Sequence, residues 1–326
     1  MYKRQTQYPV CLNPFNIAGA SQKYQAVTGL IDVMRSFFGN EWKPRLEHVF
    51  RYTAMALMEY PEANLTSVLE MLSHTDFRNK VLTYSNDPLV LRFFEFEFPR
   101  LQKKYEGTVI IPLMNKIGQL VTSPHIRPLF DQRQVSIDFN ELIAEKKIIL
   151  VHIAKGTIGE ENARFLGALI LSQLKLAGMR RGELPELERP DFYIYVDEFH
   201  TIITETFEQF LAESRRYGFA FTIAHQYVWQ LQWTTQQAVL GTVGTLIVFR
   251  IGSDDAEKLV GELEPTFTKK DMTGLGESQF YIKMTIDGEN SDPFSAETLR
   301  VLPSPEGSHA KDILQYSRMC YTCEIE

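Results

Sequence analysis

Two adjacent carboxylates, Asp197 and Glu198, close the run Phe192-Tyr-Ile-Tyr-Val196. A stretch of β-branched and aromatic residues without polar alternation predicts a strand buried on both faces of a parallel sheet. The acids then stand at its carboxyl end, the rim at which doubly wound α/β proteins bind ligands. In a nucleotide hydrolase the first acid of such a pair serves Mg2+ and the second orients the attacking water. A strand followed by Asp-Glu is equally the acidic opening of a helix, so the pair alone leaves both readings open.

Two other groups could join that chemistry. Gln226 ends a second apolar strand, Phe221-Thr-Ile-Ala-His-Gln226. Its amide can donate to a terminal phosphate oxygen and accept from a water, as a sensor would. Arg215 and Arg216 close a helix opened by the capping-box pair Thr206 and Gln209 and buried through Phe207, Phe210 and Leu211, with Gly218 as its stop. Cations there complement the helix dipole, but a guanidinium fork also suits phosphate oxygens, as in an arginine finger. The phosphate-loop pattern G-x-x-x-x-G-K-[ST] does not occur. Lys155-Gly-Thr-Ile-Gly159 lacks the Gly-Lys-Ser/Thr ending and runs into Glu160 and Glu161, so it predicts a turn rather than a phosphate cradle.

The elements that must hold these residues alternate. Strands are expected at 147–153, 192–196, 220–224 and 245–251, and helices at 162–179, 207–217 and 254–263, which predicts a parallel sheet with helices on both faces. Residues 279–286 and 293–299 read as a hairpin around Asp287-Gly288. Before Ser136 the pattern is helical throughout. In 44–60 Pro44 fits a first turn, and Leu46, Val49, Phe50, Thr53 and Leu57 recur at helical spacing. Arg92, Arg100, Lys103, Lys104, Lys116, Arg127 and Arg133 make this half locally basic, either as a solvated face or as one that meets DNA phosphates. Residues 8–15 read as a strand end and turn with nothing before them to pair with.

Composition narrows the class. A chain of 326 residues with 44% hydrophobic and 23% charged residues is that of a globular protein. No apolar run approaches the ~20 residues of a membrane span. Three cysteines do not make a disulfide framework, and a cytoplasmic setting is expected. Cys320 and Cys323 form a C-x-x-C without further evident ligands, so no metal is assigned to them. A net charge of −7 argues against a surface coated with nucleic-acid contacts while leaving room for a basic channel.

Several stretches, in order, carry a resemblance: WKPRLEHVFRYTAMALME at 42–59, ILVHIAKGTIGEENARFLGALI at 149–170, YVDEF at 195–199, ESRRYG at 213–218, AHQY at 224–227 and GTLIVFRIGSDDAEKL at 244–259. Together they resemble the TraG/TraD-type conjugative coupling proteins and their FtsK/HerA translocase relatives. The resemblance implies an α/β, RecA-like P-loop NTPase sheet flanked by helices, with an all-α domain inserted in it. On that pattern residues 1–20 are a remnant of the nucleotide-binding domain, 21–136 the all-α domain, 137–302 the motor domain, and 303–326 a linker and tail. The resemblance also implies ATP and Mg2+ as cofactors, DNA as substrate and a hexameric ring. Asp197 is then the Walker B acid, Glu198 the catalytic carboxylate, Gln226 the sensor and Arg215 the finger, with Arg216 its rival. His200 stands where relatives often carry Gln and is assigned no role. The phosphate loop and amino-terminal membrane helices of the family fall outside the chain, which reads as an amino-terminally truncated motor placed at the cytoplasmic face of an inner membrane. Relaxase or secretion-channel proteins are the further partners expected of a coupling protein. A DNA-end-processing translocase of the HerA kind, or a non-hydrolysing ring scaffold, are the alternatives.

Overall fold

The structure, a computed structural model, describes residues 10–15, 22–130, 137–302 and 308–322. Arg133 and Cys323 lie outside the described residues. The chain divides into two compact units: Met1–Phe192 with Arg215–Ala220 and His309–Glu326, and Tyr193–Ser214 with Phe221–Ser308.

In the first unit, α1 (Lys23–Phe38) and α2 (Pro44–Leu57) are followed by α3 (Leu65–Ser73), α4 (Thr75–Leu82), α5 (Pro88–Arg92), α6 (Phe98–Tyr105), α7 (Ile111–Thr122) and α8 (Arg127–Phe130). Pro44 opens α2 as its first-turn residue, and Leu46, Val49, Phe50, Thr53 and Leu57 are all buried, as their spacing predicts. The hydroxyl of the fully buried Thr53 donates to Val49 O at 2.8 Å. Asn64 and Ser67 cap α3 reciprocally, each side chain accepting the other's backbone N–H. Two π-helical turns, Phe93–Glu97 and Glu106–Ile110, join α5, α6 and α7. Most of the basic side chains noted above are exposed, but Lys116 is half-buried, over the ring of Phe37 and 3.8 Å from Glu161.

After α9 (Phe139–Ala144) and the single turn α10 (Lys155–Ile158), α11 (Glu160–Arg181) runs through the core of this unit. It packs on α1 so closely at Gly29 that a Cβ there would strike the hydroxyl of Ser172. Phe165 takes Phe37 and Phe130 edge-on, with ring centroids 5.5 and 5.6 Å away. Residues 10–15 are not the unpartnered strand end that the sequence suggests. Leu12 N donates to Leu129 O at 2.9 Å and Asn13 Nδ2 to Ala63 O at 2.6 Å, with Cys11, Leu12 and Phe15 buried.

β1 (Phe192–Val196), α12 (Glu205–Glu213) and β2 (Phe219–Ile223) follow. The two strands pair in parallel: Phe192 N donates to Gly218 O at 2.9 Å and Ala224 N to Val196 O at 2.8 Å. Each strand begins in the first unit and continues in the second. In the second unit α12 packs through Phe207 and Phe210 on Phe221 of β2, both with centroids 5.5 Å apart. The helix starts at Glu205 with Thr204 at its N-cap, two residues earlier than the sequence pattern suggests.

The rest of the second unit comprises α13 (Trp233–Thr242), β3 (Thr245–Val248), α14 (Ser253–Leu263), α15 (Lys269–Thr273), β4 (Gln279–Ile286), β5 (Glu289–Asn290) and β6 (Phe294–Glu297). The helix α16 (Ala310–Tyr321) belongs to the first unit. Val248, Ala256, Leu259, Leu263 and Met272 form the core beneath the second sheet. Asp287 and Gly288, with φ of 53° and 86°, make the tight hairpin turn that their order predicts.

Three expectations about strands change. β3 pairs antiparallel with β4, Thr245 opposite Met284 and Val248 opposite Tyr281, and so lies outside the parallel sheet. Residues 147–153 form no strand ladder among the described residues, and Ile148 and Leu150 are 91% and 80% exposed. β1 is buried on one side only: Ile194 is buried while Tyr193 and Tyr195 face solvent. The reason is common to the last two: a doubly apolar strand is buried on both faces only where the sheet and its covering layers extend past it, and β1 has β2 as its one partner among the described residues.

Glu47 locks the joint between α1 and α2. It accepts from Trp42 Nε1 at 2.9 Å, Arg35 Nη2 at 3.0 Å and Arg51 Nη2 at 2.9 Å. Burial raises its pKa, but these three donors outweigh it and bring the carboxyl from 4.5 to about 2. A carboxyl depressed in the folded state contributes stability above its unfolded pKa and loses it as pH falls through the folded one, here between 4.5 and about 2. Glu47→Gln is therefore expected to cost about 1–3 kcal/mol at neutral pH and to flatten the acid limb of the stability curve. Urea denaturation at pH 7 and at pH 3 checks both; an unchanged acid limb would count against this joint.

Candidate active site

The parallel pairing of β1 and β2 sets the site. Because Ala224 N meets Val196 O, the residues just past the two strand ends, Asp197-Glu198 and His225-Gln226, emerge side by side. Phe199 N donates to Ala224 O at 3.1 Å and its ring is 1% exposed, so the chain is pinned immediately after the acids.

Between these pins Glu198 adopts φ 51° and ψ 41°, a left-handed conformation that costs a residue with a Cβ roughly 1–2 kcal/mol. Neighbouring bonds enforce it. Glu198 O accepts from Thr201 N at 3.0 Å and Thr201 Oγ1 at 2.9 Å, and Glu198 N donates to Asp197 Oδ1 at 2.9 Å. The turn aims the Glu198 side chain at the end of β2, where Gln226 Nε2 donates to Glu198 Oε1 at 2.6 Å. His200 Nδ1 stands 3.4 Å from Glu198 Oε2 without forming a hydrogen bond, and is otherwise buried and unpartnered among the described residues.

His225 packs edge-on against Phe199, centroids 4.9 Å apart. Burial, and then the charge of His200, hold its pKa below 6.5 against the opposing pull of Asp255 and Glu198. The loop beyond is held by two residues that the sequence reading did not single out. Asp255, 3% exposed at the start of α14, accepts from Val228 N at 3.1 Å, and Gln236 Nε2 donates to Val228 O and Leu231 O at 3.0 and 2.8 Å. The pair Asp254-Asp255 is visible in the sequence as an acidic helix opening. Which of the two turns inward is set by the tertiary contact alone.

The structure thus brings Asp197, Glu198 and Gln226 together. Arg215 and Arg216 stand in a 3-10 turn, Ser214–Tyr217, that continues α12. Both are exposed; the Arg216 guanidinium lies 5.9 Å from the Tyr217 ring centre. Arg215 belongs to the first unit, whereas Glu198 and Gln226 belong to the second. Lys155–Ile158 is a helical turn closed by Gly159 at φ 84°, not an open phosphate loop.

For Mg2+ the donor set is suitable. Asp197 is exposed, and its hydrogen bond among the described residues uses Oδ1 alone. One carboxylate fits an ion that keeps most of its water, whereas no cluster of three or more ligating side chains occurs among the described residues.

No family model matches the chain, and no curated protein does. Solved structures do. A structure of the plasmid coupling protein TrwB in complex with the non-hydrolysable ATP analogue ADPNP superposes with a TM-score of 0.58, covering 87% of this chain and 70% of that one, at 10% identity. The unbound monoclinic form of the bacterial conjugative coupling protein TrwBdeltaN70 also gives 0.58, covering 92% and 75%, again at 10% identity. The chain has the coupling-protein fold. This is the RecA-like arrangement of a parallel sheet with flanking helices expected from the sequence, and at this identity the likeness speaks for the fold.

If Asp255 holds the loop beyond Gln226, Asp255→Ala should leave the part-buried Val228 N–H without its acceptor and cost about 1–3 kcal/mol. Asp254→Ala, on the exposed neighbour, should change stability by less than about 0.5 kcal/mol. Parallel urea melts make the comparison; equal losses would mean that helix-end charge, not the Val228 bond, is what matters.

Proposed function

We propose that this chain is motor machinery of an ATP-driven DNA translocase of the conjugative coupling type, acting as a hexameric ring. The observation that carries the reading is the Glu198–Gln226 contact at the ends of adjacent parallel strands, in a chain with the coupling-protein fold. Acid and amide at that rim are what phosphoryl transfer to water requires of a protein, since its contribution there is positioning and charge stabilisation.

Asp197 would hold Mg2+, which when bound neutralises charge on the phosphates. Glu198, fixed through Oε1 by Gln226, offers Oε2 to a water and can take its proton. Gln226, with its carbonyl oxygen still available, links the carboxylate to the position of a terminal phosphate. Both arginines are exposed, and Arg215 is the better finger because Arg216 lies over Tyr217. A finger supplied to a neighbour's nucleotide requires head-to-tail contacts, which close into a ring. The phosphate-cradling loop is not contributed by this sequence. A ring scaffold has no chemical need of Asp197, Glu198, Gln226 and Arg215 together, which favours the motor. Relaxase or channel proteins are the partners this reading expects, at the cytoplasmic face of a membrane.

DNA-stimulated ATP hydrolysis by the protein of the complete reading frame tests the proposal. Glu198→Gln is expected to lower turnover by a factor of about 10² or more. Arg215→Ala should lower it by about 10³ and, mixed with wild-type subunits, should poison neighbouring sites beyond simple dilution. Assembled rings without turnover, with or without DNA, would instead support the scaffold. Activities that merely average in mixtures would remove Arg215 from a role in trans.

A further inference from the structure

The turn that carries Arg215 and Arg216 is stapled from the connector that follows α11. Arg189 Nη1 donates to Arg216 O at 2.5 Å, Nε to Leu184 O at 2.9 Å, and Nη2 to both Leu184 O and Gly182 O at 2.6 and 3.1 Å. One guanidinium thus gathers three carbonyls from two separate segments. Such a fork suits arginine, whose donors are planar, permanently charged and arranged for several acceptors at once. Around it the fit is close. Tyr217 packs over Gly182, where a Cβ would come within 3.1 Å of its ring. Arg181, buried over the ring of Phe219, donates to Pro190 O, and its guanidinium fills the space beside Gly218, where φ is 71°.

The contact is specific in where it acts. It fixes the peptide carbonyl one residue beyond Arg215, while the Arg215 side chain stays exposed. The backbone is therefore held and the side chain left for a target. We propose that Arg189 is a positioning residue for Arg215, setting the direction from which that arginine is presented; this rests on Arg215 being the finger. A short 3-10 turn has poor internal hydrogen-bond geometry and does not hold a long side chain to a sub-ångström path by itself. Displacement by about 1 Å is enough to cost on the order of 10²-fold in rate.

The test uses the protein of the complete reading frame, with ATP turnover measured in the presence of DNA for Arg189→Ala, Arg189→Lys, Arg215→Ala and the Arg189→Ala/Arg215→Ala double variant. Arg189→Ala is expected to lower kcat by about tenfold to a hundredfold with KM for ATP within about twofold of wild type. The double variant should be no worse than Arg215→Ala alone, because both changes remove one function. Arg189→Lys, which can reach Arg216 O but cannot gather all three carbonyls, should fall between; it carries the comparison if the alanine variant does not fold. Amide exchange at Tyr217 and Gly218 should be faster in both Arg189 variants. Turnover in Arg189→Ala within about twofold of wild type, or losses that multiply in the double variant, would overturn the proposal while leaving Arg215 as the finger. Wild-type turnover in Arg215→Ala would remove the finger itself, and with it the role given to Arg189.

Discussion

The site depends on one backbone contact, Ala224 N to Val196 O, which brings the ends of two parallel strands level with each other. Each strand end then delivers a polar pair at the same height. Side-chain reach does the remainder: Glu198 and Gln226, 28 residues apart in sequence, meet at 2.6 Å. Without that register the acid would be a helix opening and the glutamine a solvated strand end, the ordinary fates of both residue types.

Much of this was legible because the signals were local. Phe192–Val196 as a strand follows from its composition, the Asp287-Gly288 turn from its dihedral demands, and the stripe on α2 from its spacing. What could not be read was partnership. β3 has the same apolar texture as β1, yet pairs antiparallel with β4. Short apolar runs say that a strand is covered but not by which neighbour, since register and direction are set by contacts distant in sequence. Asp255, Gln236 and Arg189 escaped notice for the same reason: each acts on a backbone carbonyl or amide of another segment, and backbone groups leave no trace in the sequence.

The exposed apolar side chains of β1 and of residues 147–153 belong to the same lesson. Ile148, Leu150, Tyr193 and Tyr195 have the composition of strands with layers on both sides, and exposed runs of that kind mark surfaces made to be covered. Sequence composition therefore describes the environment a strand is built for, whereas the structure describes which of its faces these residues themselves bury.

Glu198 shows how the local and the global levels are reconciled. Its left-handed backbone contradicts the preference of any residue with a Cβ, and a glycine would fit the turn without penalty. The glutamate is kept there, its backbone held by Thr201 and Asp197 and its turn pinned by the buried Phe199. Strain that the surroundings over-determine gathers where a side chain must point in a direction the unstrained chain would not give it. The direction gained is that of Gln226 and the end of the neighbouring strand, with Phe199 buried in the next position.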